Sequence, residues 1–428
     1  MRVILYICLY LISLCSYSQA KKQLLDVRVI PVHADWTYNE NEDVEFTVTV
    51  LKDGHPVKGL DLSYQFGYER MDPVKKGVLQ IKDKPVVLKC GKYSKPGFIT
   101  CEASVQYNGK TYKGRGNTAI DPDKIKPTCA LPSDFNTYWN EQIQKARKIA
   151  LDTKMIYVPQ KSTSKYEFYY INFQNNKVGS RIYGVLTIPK GSGTFPAILN
   201  VPGAGVRSYQ GDGYLSDDGF ISLTIGIHGI PVNLEEEVYQ SLFKGAIDKY
   251  WVQNMDSKDD YYYNRVYLGC VRAVDFIFTL PQFNGKDLAV SGGSQGGALA
   301  IVTGALDERV SCITSFYPAL SDLTGFLYGQ AGGWPQLFKQ EDDKARLNEK
   351  VKVLSYYDVV NFAKHLKVPG FYSWGYNDDV CPPTSVYAVY NSVNAPKENA
   401  IFYETEHWNY PEQWEEKQKF IKRIFKAE

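Results

Sequence analysis

Hydrophobic and polar residues alternate along the N-terminal part of the chain with the period of a β-strand. The stretch VEFTVTVLKDGHPVKG alternates in this way and turns at Asp53-Gly54, and LDLSYQFGY alternates again. Asn108-Gly109 lies between two further alternating stretches, and this dipeptide is a strong signal for a two-residue hairpin. No helical period competes before about Ile120. The pattern predicts an immunoglobulin-like β-sandwich over residues 21–121.

The pattern changes after the proline-rich stretch DPDKIKPTCALPSD, which predicts a linker over residues 122–133. Beyond it, strand-like runs such as FPAILNVPG, GFISLTIGI and AIFYETEH alternate with helical stretches such as YYYNRVYLGCVRAVDFIFTL. Near-continuous apolar runs are typical of parallel strands that are buried on both faces. Residues 134–428 are therefore predicted to form an α/β domain with a mostly parallel sheet, whose first helix is capped near Ser133 or Asp134.

The first residues have the order of charge, apolar run and small residues that is typical of a secretory signal peptide. Arg2 precedes the apolar run Val3–Leu14, and Ser18-Gln19-Ala20 offers a cleavage site, so residues 1–20 are interpreted as a leader. The run is too short for a transmembrane helix, and no membrane span is expected. The protein is expected to be exported, periplasmic or secreted. In the alternative interpretation, which ranks second, it is a lipoprotein anchored through Cys15.

Composition and charge exclude several other classes of function. The formal net charge is +2 and charged residues make up 22% of the chain, without a basic stripe, so no nucleic-acid partner is expected.

Cys90 and Cys101 flank a predicted turn and could form a disulfide in an exported protein. The alternative is that the cysteines outside the leader are buried small hydrophobic residues. No cysteine or histidine cluster has the spacing of a zinc site, and no metal is expected.

The stretch SGGSQGGALA, residues 291–300, contains the pattern G-x-S-x-G around Ser294. A strand signal precedes this pattern and an apolar helical stretch follows it. Strand, tight turn and helix are the context of a nucleophile elbow, whereas a flexible glycine-rich loop is the alternative. Gly292 and Gly296 leave room for the sharp turn. We therefore interpret Ser294 as a nucleophile at the carboxyl end of the sheet.

A serine nucleophile needs a histidine base and a carboxylate that orients the histidine. The chain has five histidines, and only His407 follows the last predicted strand, as the order serine, acid, histidine requires. The alternative for His407 is a structural role. Asp378 and Asp379 follow the preceding predicted strand side by side, and their positions scarcely separate them.

The oxyanion of the tetrahedral intermediate needs backbone N–H donors. We expect one from Gln295, directly after the serine, and one from Ala204 in the loop after the stretch ILNVPG. For Ala204 the alternative is an ordinary turn at the end of a strand. The mechanism needs no metal and no organic cofactor.

From about Asp134 onwards the chain resembles the acetylxylan esterase and cephalosporin C deacetylase family, carbohydrate esterase family seven. The stretches that carry this resemblance are DFNTYWNEQI, YYYNRVYLGCVRAVDFI, SGGSQGG, LSYYDVVNFA and NDDVCPPTSVYAVYN. The family is an α/β-hydrolase whose triad releases acetate from sugar hydroxyls. The resemblance implies that the serine, aspartate and histidine of this triad are Ser294, Asp378 and His407. It also implies an oxyanion turn at Pro202-Gly203-Ala204.

The chain departs from the family pattern in two places and has an additional region. His228-Gly229-Ile230 stands where the family has R-G-Q, and His407-Trp408-Asn409 stands where it has H-x-E. The triad is retained despite both departures. They bear on the contacts that support the triad, on subunit packing and on the fit of the substrate. The predicted sandwich lies outside the compact family members, so a homo-oligomer is possible but the family's ring-like hexamer is not assumed. For the sandwich a packing or spacing role is favoured over sugar binding.

The sequence thus predicts an exported serine esterase that removes acetyl groups from xylan or xylo-oligosaccharides through an acyl-enzyme intermediate. The alternatives are an exported peptidase of the same fold, an esterase for a different acyl ester, and a binding protein without hydrolytic activity. Four aromatic residues are candidates to line a sugar site, although a structural role is favoured for each of them: Trp408, Tyr410, Tyr209 and Tyr214.

Overall fold

The N-terminal region of the computed structural model contains two β-sheets. The model describes residues 23–82, 84–340 and 346–426. The strands of this region are β1 (Leu25–Pro31), β2 (Thr37–Tyr38), β3 (Asp43–Lys52), β4 (His55–Pro56), β5 (Asp61–Tyr68), β6 (Lys75–Gln80), β7 (Val86–Lys92), β8 (Gly97–Tyr107) and β9 (Lys110–Ile120). One sheet contains β1, β3, β4 and β7, and the other has the order β2-β9-β8-β5-β6.

The two sheets enclose a hydrophobic core that the alternating sequence pattern predicts. Alternate residues of β1 and β3 are buried, and Phe46 and Val48 of β3 pack with Leu62 and Val105 of the other sheet. Asn108 and Gly109 both have positive φ, 50° and 73°, as a two-residue hairpin turn requires. Apart from the short parallel pair of β2 and β9, the strand pairs of this region are antiparallel.

The following region is built from one large sheet with helices. Its strands are β10 (Lys154–Tyr157), β11 (Tyr166–Gln174), β12 (Arg181–Pro189), β13 (Phe195–Asn200), β14 (Ile221–Gly226), β15 (Phe283–Gly293), β16 (Cys312–Phe316), β17 (Gly370–Trp374) and β18 (Lys397–Ile401). Its helices are α1 (Phe135–Arg147), α2 (Gly213–Asp217), α3 (Glu236–Lys244), α4 (Tyr262–Ile277), α5 (Gln295–Leu306), α6 (Leu347–Leu354), α7 (Val359–Ala363), α8 (Pro383–Ser392) and α9 (Pro411–Phe425).

The large sheet has the strand order β10-β11-β12-β14-β13-β15-β16-β17-β18. The strands from β14 to β18 along this order are parallel, and those before β14 pair in antiparallel fashion. Every residue of β16 and β17 is buried, as their near-continuous apolar sequences predict. The predicted mostly parallel sheet is therefore confirmed.

Two local features differ from the sequence-based prediction. The last strand, β18, ends at Ile401 and does not run to His407. The chain turns there because the N–H and hydroxyl groups of Thr405 donate hydrogen bonds to the carbonyl of Phe402. Asp134 does precede α1, but its side chain does not cap the helix, because it accepts a hydrogen bond from the Tyr356 hydroxyl at 2.5 Å.

The cysteines of the described ranges are buried and free, so the disulfide between Cys90 and Cys101 is not present. Cys90 lies in β7 and Cys101 in β8, on the two facing sheets of the sandwich. The Cys90 thiol donates to the Leu88 carbonyl at 3.7 Å, and the neighbouring Cys90 thiol together with burial raises the pKa of Cys101. The structure thus shows the alternative prediction of buried small hydrophobic residues.

The predicted leader, residues 1–20 with Cys15, lies outside the described residues. Among the residues that are described, no helix is long and apolar enough to cross a membrane.

Candidate active site

Ser294 lies on a sharp turn between β15 and α5, at the carboxyl end of a central parallel strand. Its φ of 59° and ψ of −125° lie in a strained region, and such strain costs about 1–3 kcal/mol. A Cβ atom on Gly292 would lie 2.5 Å from the carbonyl carbon of Gly296, and one on Gly296 would lie 2.4 Å from the carbonyl oxygen of Val201. Only glycine fits at these two positions, which explains the spacing of the motif.

The strained turn is held by hydrogen bonds from the neighbouring strand and the loop after it. The N–H of Ser294 donates to the Phe316 carbonyl at 2.9 Å, and the Ser294 carbonyl accepts from the N–H of Ala319 at 3.1 Å. Both partners lie at or just after the end of β16. These contacts fix the serine backbone and present its half-buried side chain at the edge of the sheet.

His407 lies between the serine and a buried carboxylate. Its Nε2 is 3.0 Å from Ser294 Oγ, and its Nδ1 is 2.7 Å from Asp378 Oδ2. The other carboxylate oxygen of Asp378 accepts from the N–H groups of Val380 and Cys381, both at 2.9 Å. A proton on Nδ1, facing the carboxylate, leaves Nε2 free to accept from the serine hydroxyl. The structure therefore brings together the three residues that the sequence singled out.

The two adjacent aspartates have different surroundings. Asp378 is fully buried and faces His407. The side chain of Asp379 is 48% exposed and forms an ion pair with Arg115 at 3.1 Å. The structure thus distinguishes Asp378 from Asp379, whereas their adjacent positions in the sequence did not.

Gln295 connects the elbow to the turn that contains Ala204. Its buried side chain accepts from the hydroxyls of Tyr250 and Tyr263, both at 2.7 Å, and its Nε2 donates to the Pro202 carbonyl at 3.2 Å. Within the described ranges, no hydrogen bond of the protein reaches the backbone N–H of Gln295 or of Ala204. The turn itself lies beside the elbow, since a Cβ atom on Gly203 would lie 3.5 Å from the Gly293 carbonyl oxygen.

His228 forms a hydrogen bond with the turn that contains Ala204. Its Nε2 is 3.1 Å from the Gly205 carbonyl, and its Nδ1 is 2.7 Å from the Tyr262 hydroxyl. Burial lowers the pKa of His228 to about 4, so the ring is neutral near pH 7. A neutral ring that donates from Nε2 and accepts at Nδ1 satisfies both contacts. The departure from R-G-Q at this position therefore places a hydrogen-bonded support under the turn.

Two residues beside the triad were not identified from the sequence. The ring of Tyr317 packs on the His407 ring at 4.6 Å, and its hydroxyl donates to Asn409 Oδ1 at 2.9 Å. The thiol of Cys381 is buried beside Ser294, and burial holds its pKa well above its usual value. Tyr317 follows a parallel strand, β16, directly, and that position is the signal that would have indicated it. Asn409, which stands where the family pattern H-x-E has glutamate, thus accepts the hydrogen bond from Tyr317.

The four aromatic candidates for a sugar site occupy different environments. The ring of Trp408 is next to the triad in sequence and 43% exposed, and it packs edge-on against Tyr410 at 4.8 Å. Tyr410 donates a hydrogen bond to Glu404. The hydroxyl of Tyr209 is buried, whereas Tyr214 on α2 is 50% exposed. Trp408 is the one that is both exposed and adjacent to His407.

No group of three or more metal-ligating side chains is present in the part of the chain that the structure describes.

Comparison with known proteins identifies the family. Residues 122–424, more than half of the chain, match the family model described as acetyl xylan esterase (AXE1). The chain belongs to the acetyl xylan esterase family. Acetyl esterase Axe7A of Xylanibacter ruminicola is 36% identical over 389 residues, which are 90% of this chain and 87% of that protein. A match of that length extends into the N-terminal sandwich.

Two solved structures of acetyl xylan esterases share the fold. The enzyme from Paenibacillus sp. R4 has 26% identity and a TM-score of 0.62. Acetyl xylan esterase 1 from Thermoanaerobacterium sp. JW/SL YS485 has 24% identity and a TM-score of 0.61. Each match covers 71% of this chain and 98% of the other, so part of this chain has no counterpart in them. The α/β-hydrolase fold and the prediction of a carboxylic ester hydrolase are confirmed.

Proposed function

We propose that this member of the acetyl xylan esterase family is an exported serine esterase that removes acetyl groups from acetylated xylan or xylo-oligosaccharides. One observation carries the proposal: His407 is within hydrogen-bond distance of both Ser294 Oγ and Asp378 Oδ2, at 3.0 and 2.7 Å. A serine, a base and a buried acid in this arrangement are the elements of nucleophilic acyl transfer.

The acylation step uses these three side chains. Ser294 Oγ attacks the carbonyl carbon of the acetyl ester while His407 Nε2 accepts the hydroxyl proton. Asp378, oriented by two backbone N–H groups, stabilises the imidazolium that forms. The N–H groups of Ala204 and Gln295 stabilise the oxyanion. The bond between the carbonyl carbon and the sugar oxygen then breaks, and the imidazolium gives its proton to the departing sugar alcohol.

The deacylation step reverses these roles for water. His407 accepts a proton from a water molecule, whose oxygen attacks the acetyl carbonyl on Ser294. The bond between that carbon and Ser294 Oγ breaks, acetate leaves, and the proton returns to the serine. Each step begins and ends with neutral His407, and neither requires a metal or an organic cofactor.

The substrate and the compartment rest on different observations. The family and the relatives named for acetyl esters support an acetylated sugar as substrate. The order of charge, apolar run and small residues in residues 1–20 supports export. Determination of the N-terminus of the protein secreted by an expression host tests export. A first residue near Lys21 is expected, whereas retention of residues 1–20 would contradict export.

The central experiment measures acetate release from acetylated xylo-oligosaccharides by the wild type and by Ser294→Ala. We expect clear release by the wild type and a loss of about 10⁶-fold in kcat in the variant, because the nucleophile is absent. Mass spectrometry of acid-quenched turnover should show an acetyl group on the peptide that contains Ser294. Undiminished turnover by Ser294→Ala would contradict the mechanism.

Two further substrates test the alternatives. Cleavage of an aryl acetate without acetate release from xylo-oligosaccharides would keep the serine mechanism and assign a different natural ester. Cleavage of an aminoacyl-proline amide without acetate release would identify a peptidase instead. Binding of acetylated sugar without turnover of any of these substrates would identify a binding protein.

A further inference from the structure

The loop that carries Asp378 contacts the N-terminal sandwich on its buried side. We call residues 376–384 the acid loop; they comprise most of the connection between β17 and α8 and the first two residues of α8. Three polar side chains of the sandwich reach it: Glu69, directly after β5, and Arg115 and Asn117 in β9. We call these three residues the sandwich clamp.

Asn117 holds the beginning of the acid loop. Its side chain is 1% exposed, and Nδ2 donates to the Tyr376 carbonyl at 2.6 Å and to Glu69 Oε1 at 3.2 Å. Its backbone N–H donates to Asn377 Oδ1 at 2.9 Å. Asn117 therefore contacts the two residues that directly precede Asp378.

Glu69 holds the other end of the loop. It is 3% exposed, and its Oε2 accepts from the Thr384 N–H at 3.2 Å and from the Thr384 hydroxyl at 2.7 Å. Thr384 lies in the first turn of α8. Because Glu69 also accepts from Asn117, one connected network joins the two ends of the acid loop.

Arg115 contacts the residues on both sides of Asp378. Its guanidinium donates to the Asn377 carbonyl, and its Nη1 lies 3.1 Å from Asp379 Oδ2. The Arg115 side chain is 19% exposed. The three residues of the sandwich clamp thus bind the loop before, beside and after the acid.

These contacts are too polar and too deeply buried for a spacer. A domain that only separates two surfaces needs no buried carboxylate and amide at the boundary, since burying each costs free energy that its hydrogen bonds must offset, and Asn117 Oδ1 has no partner among the described residues. The position of Asp378 follows from that of its neighbours, and a misplacement of about 1 Å near a reacting group can cost about 100-fold in rate. The clamp acts on the residue whose orientation matters most to His407.

We propose that the sandwich clamp positions the acid of the catalytic triad: Glu69, Arg115 and Asn117 hold the acid loop so that the Asp378 carboxylate points at His407. This inference rests on the serine mechanism proposed above. It gives the N-terminal sandwich a part in the reaction, in place of the packing or spacing role that its sequence suggested.

The test combines Glu69→Ala and Asn117→Ala, separately, with Asp378→Asn. In the wild-type background, each clamp variant is expected to lower kcat on an aryl acetate by about 10- to 100-fold, with KM within about twofold. In the Asp378→Asn background neither should lower kcat by more than about twofold, because the carboxylate that they position is already absent. Asp43→Asn on β3 is the matched control, since its exposed carboxylate pairs with Lys92 at 3.6 Å and lies in the other sheet of the sandwich.

The outcomes separate three cases, with thermal unfolding recorded for every variant. Equal losses in both backgrounds, or unchanged kcat in the folded clamp variants, would overturn the positioning role and leave the serine mechanism intact. A wild-type rate for Asp378→Asn would instead overturn the serine mechanism and, with it, the clamp.

Should Glu69→Ala fail to fold, Thr384→Val removes the hydroxyl donor from the opposite side of the same contact. It is expected to show the same dependence on Asp378, and an equal loss in both backgrounds would again overturn the proposal.

Discussion

The turn around Ser294 and the loop around Asp378 belong to one site, but different kinds of contact hold them in place. Gly292 to Gly296 form the elbow between a strand and a helix that are consecutive in sequence, and its steric requirements lie within that turn and the strand beside it. The acid loop is held by Asn117 and Glu69, which lie 260 and 315 positions away from the residues they contact.

The difference teaches why one part of the site appears as a motif and the other does not. A sharp turn that needs two glycines at a fixed spacing leaves a local pattern because both glycines lie in the turn, although the Cβ forbidden at Gly296 would meet the carbonyl oxygen of Val201 in another segment. Contacts between distant segments leave no fixed spacing. Mutations can test whether the elbow is in fact self-contained and whether the acid loop in fact depends on the sandwich.

Among the substitutions that test this comparison, the largest effect is expected at the acid. Asp378→Asn should lower kcat by about 10⁴-fold with little change in stability, because the amide cannot hold the imidazolium or fix its tautomer. Steady-state kinetics on an aryl acetate measures this loss. Asp379→Asn, which removes one half-exposed carboxylate and its ion pair with Arg115, is the matched control and should lower kcat by less than about tenfold. Similar losses for both would show that the loop, and not one carboxylate, carries the effect.

The elbow can be broken at its second glycine. In Gly296→Ala the new methyl group would lie 2.4 Å from the Val201 carbonyl oxygen, so the turn must shift. We expect a destabilisation of about 1–3 kcal/mol together with a large loss of kcat. Gly293→Ala is the matched control for stability, since its Cβ would have its nearest contact at 3.4 Å. Equal melting temperatures of the two variants would contradict a sterically determined elbow.

The acid loop should lose stability towards alkaline pH through Glu69. Burial raises the pKa of Glu69 to about 8, above its ordinary value of 4.5, with Arg115 lowering it and Asp378 raising it. The folded state therefore binds the proton more tightly, and the contribution of Glu69 is lost as the pH rises from about 4.5 through about 8. Urea unfolding of Glu69→Gln across this range should show a weaker decline than the wild type. Parallel curves would show that Glu69 does not titrate there.

The stability of the turn that contains Ala204 should respond to pH in the opposite direction, through His228. Burial lowers the pKa of this ring from 6.5 to about 4, so the unfolded state binds the proton more tightly. Its contribution to stability is complete above about 6.5 and is lost as the pH falls through about 4. His228→Gln should flatten the acid side of the curve of unfolding free energy against pH. We expect this change in the pH dependence of the unfolding free energy to be the smallest of the four effects. Carboxyl groups titrate in the same pH range and contribute most of the dependence there.

The pattern of the chain predicted much of the fold and the residues of the site. Buried parallel strands have near-continuous apolar sequences and half-exposed antiparallel strands alternate, so the sequence pattern distinguishes the mostly parallel sheet from the sandwich. The last strand was predicted too long, because a side-chain hydrogen bond from Thr405 turns the chain after Ile401. Tyr317, which packs on His407, and Cys381, which neighbours Ser294, were not singled out, because a position after a strand or inside a motif does not show what a side chain contacts.

The amino-acid pattern was sufficient to predict the two architectures, the G-x-S-x-G turn and the chain order of serine, aspartate and histidine, because these are visible as periodicity, glycine spacing and position along the chain. The tertiary structure alone decided that Asp378 and not Asp379 faces His407, and that the sandwich contacts the acid loop. The physical reason is the range of the interactions. Turn geometry and strand periodicity act between neighbours in sequence, whereas a buried hydrogen bond between Asn117 and Tyr376 exists only after both regions have folded.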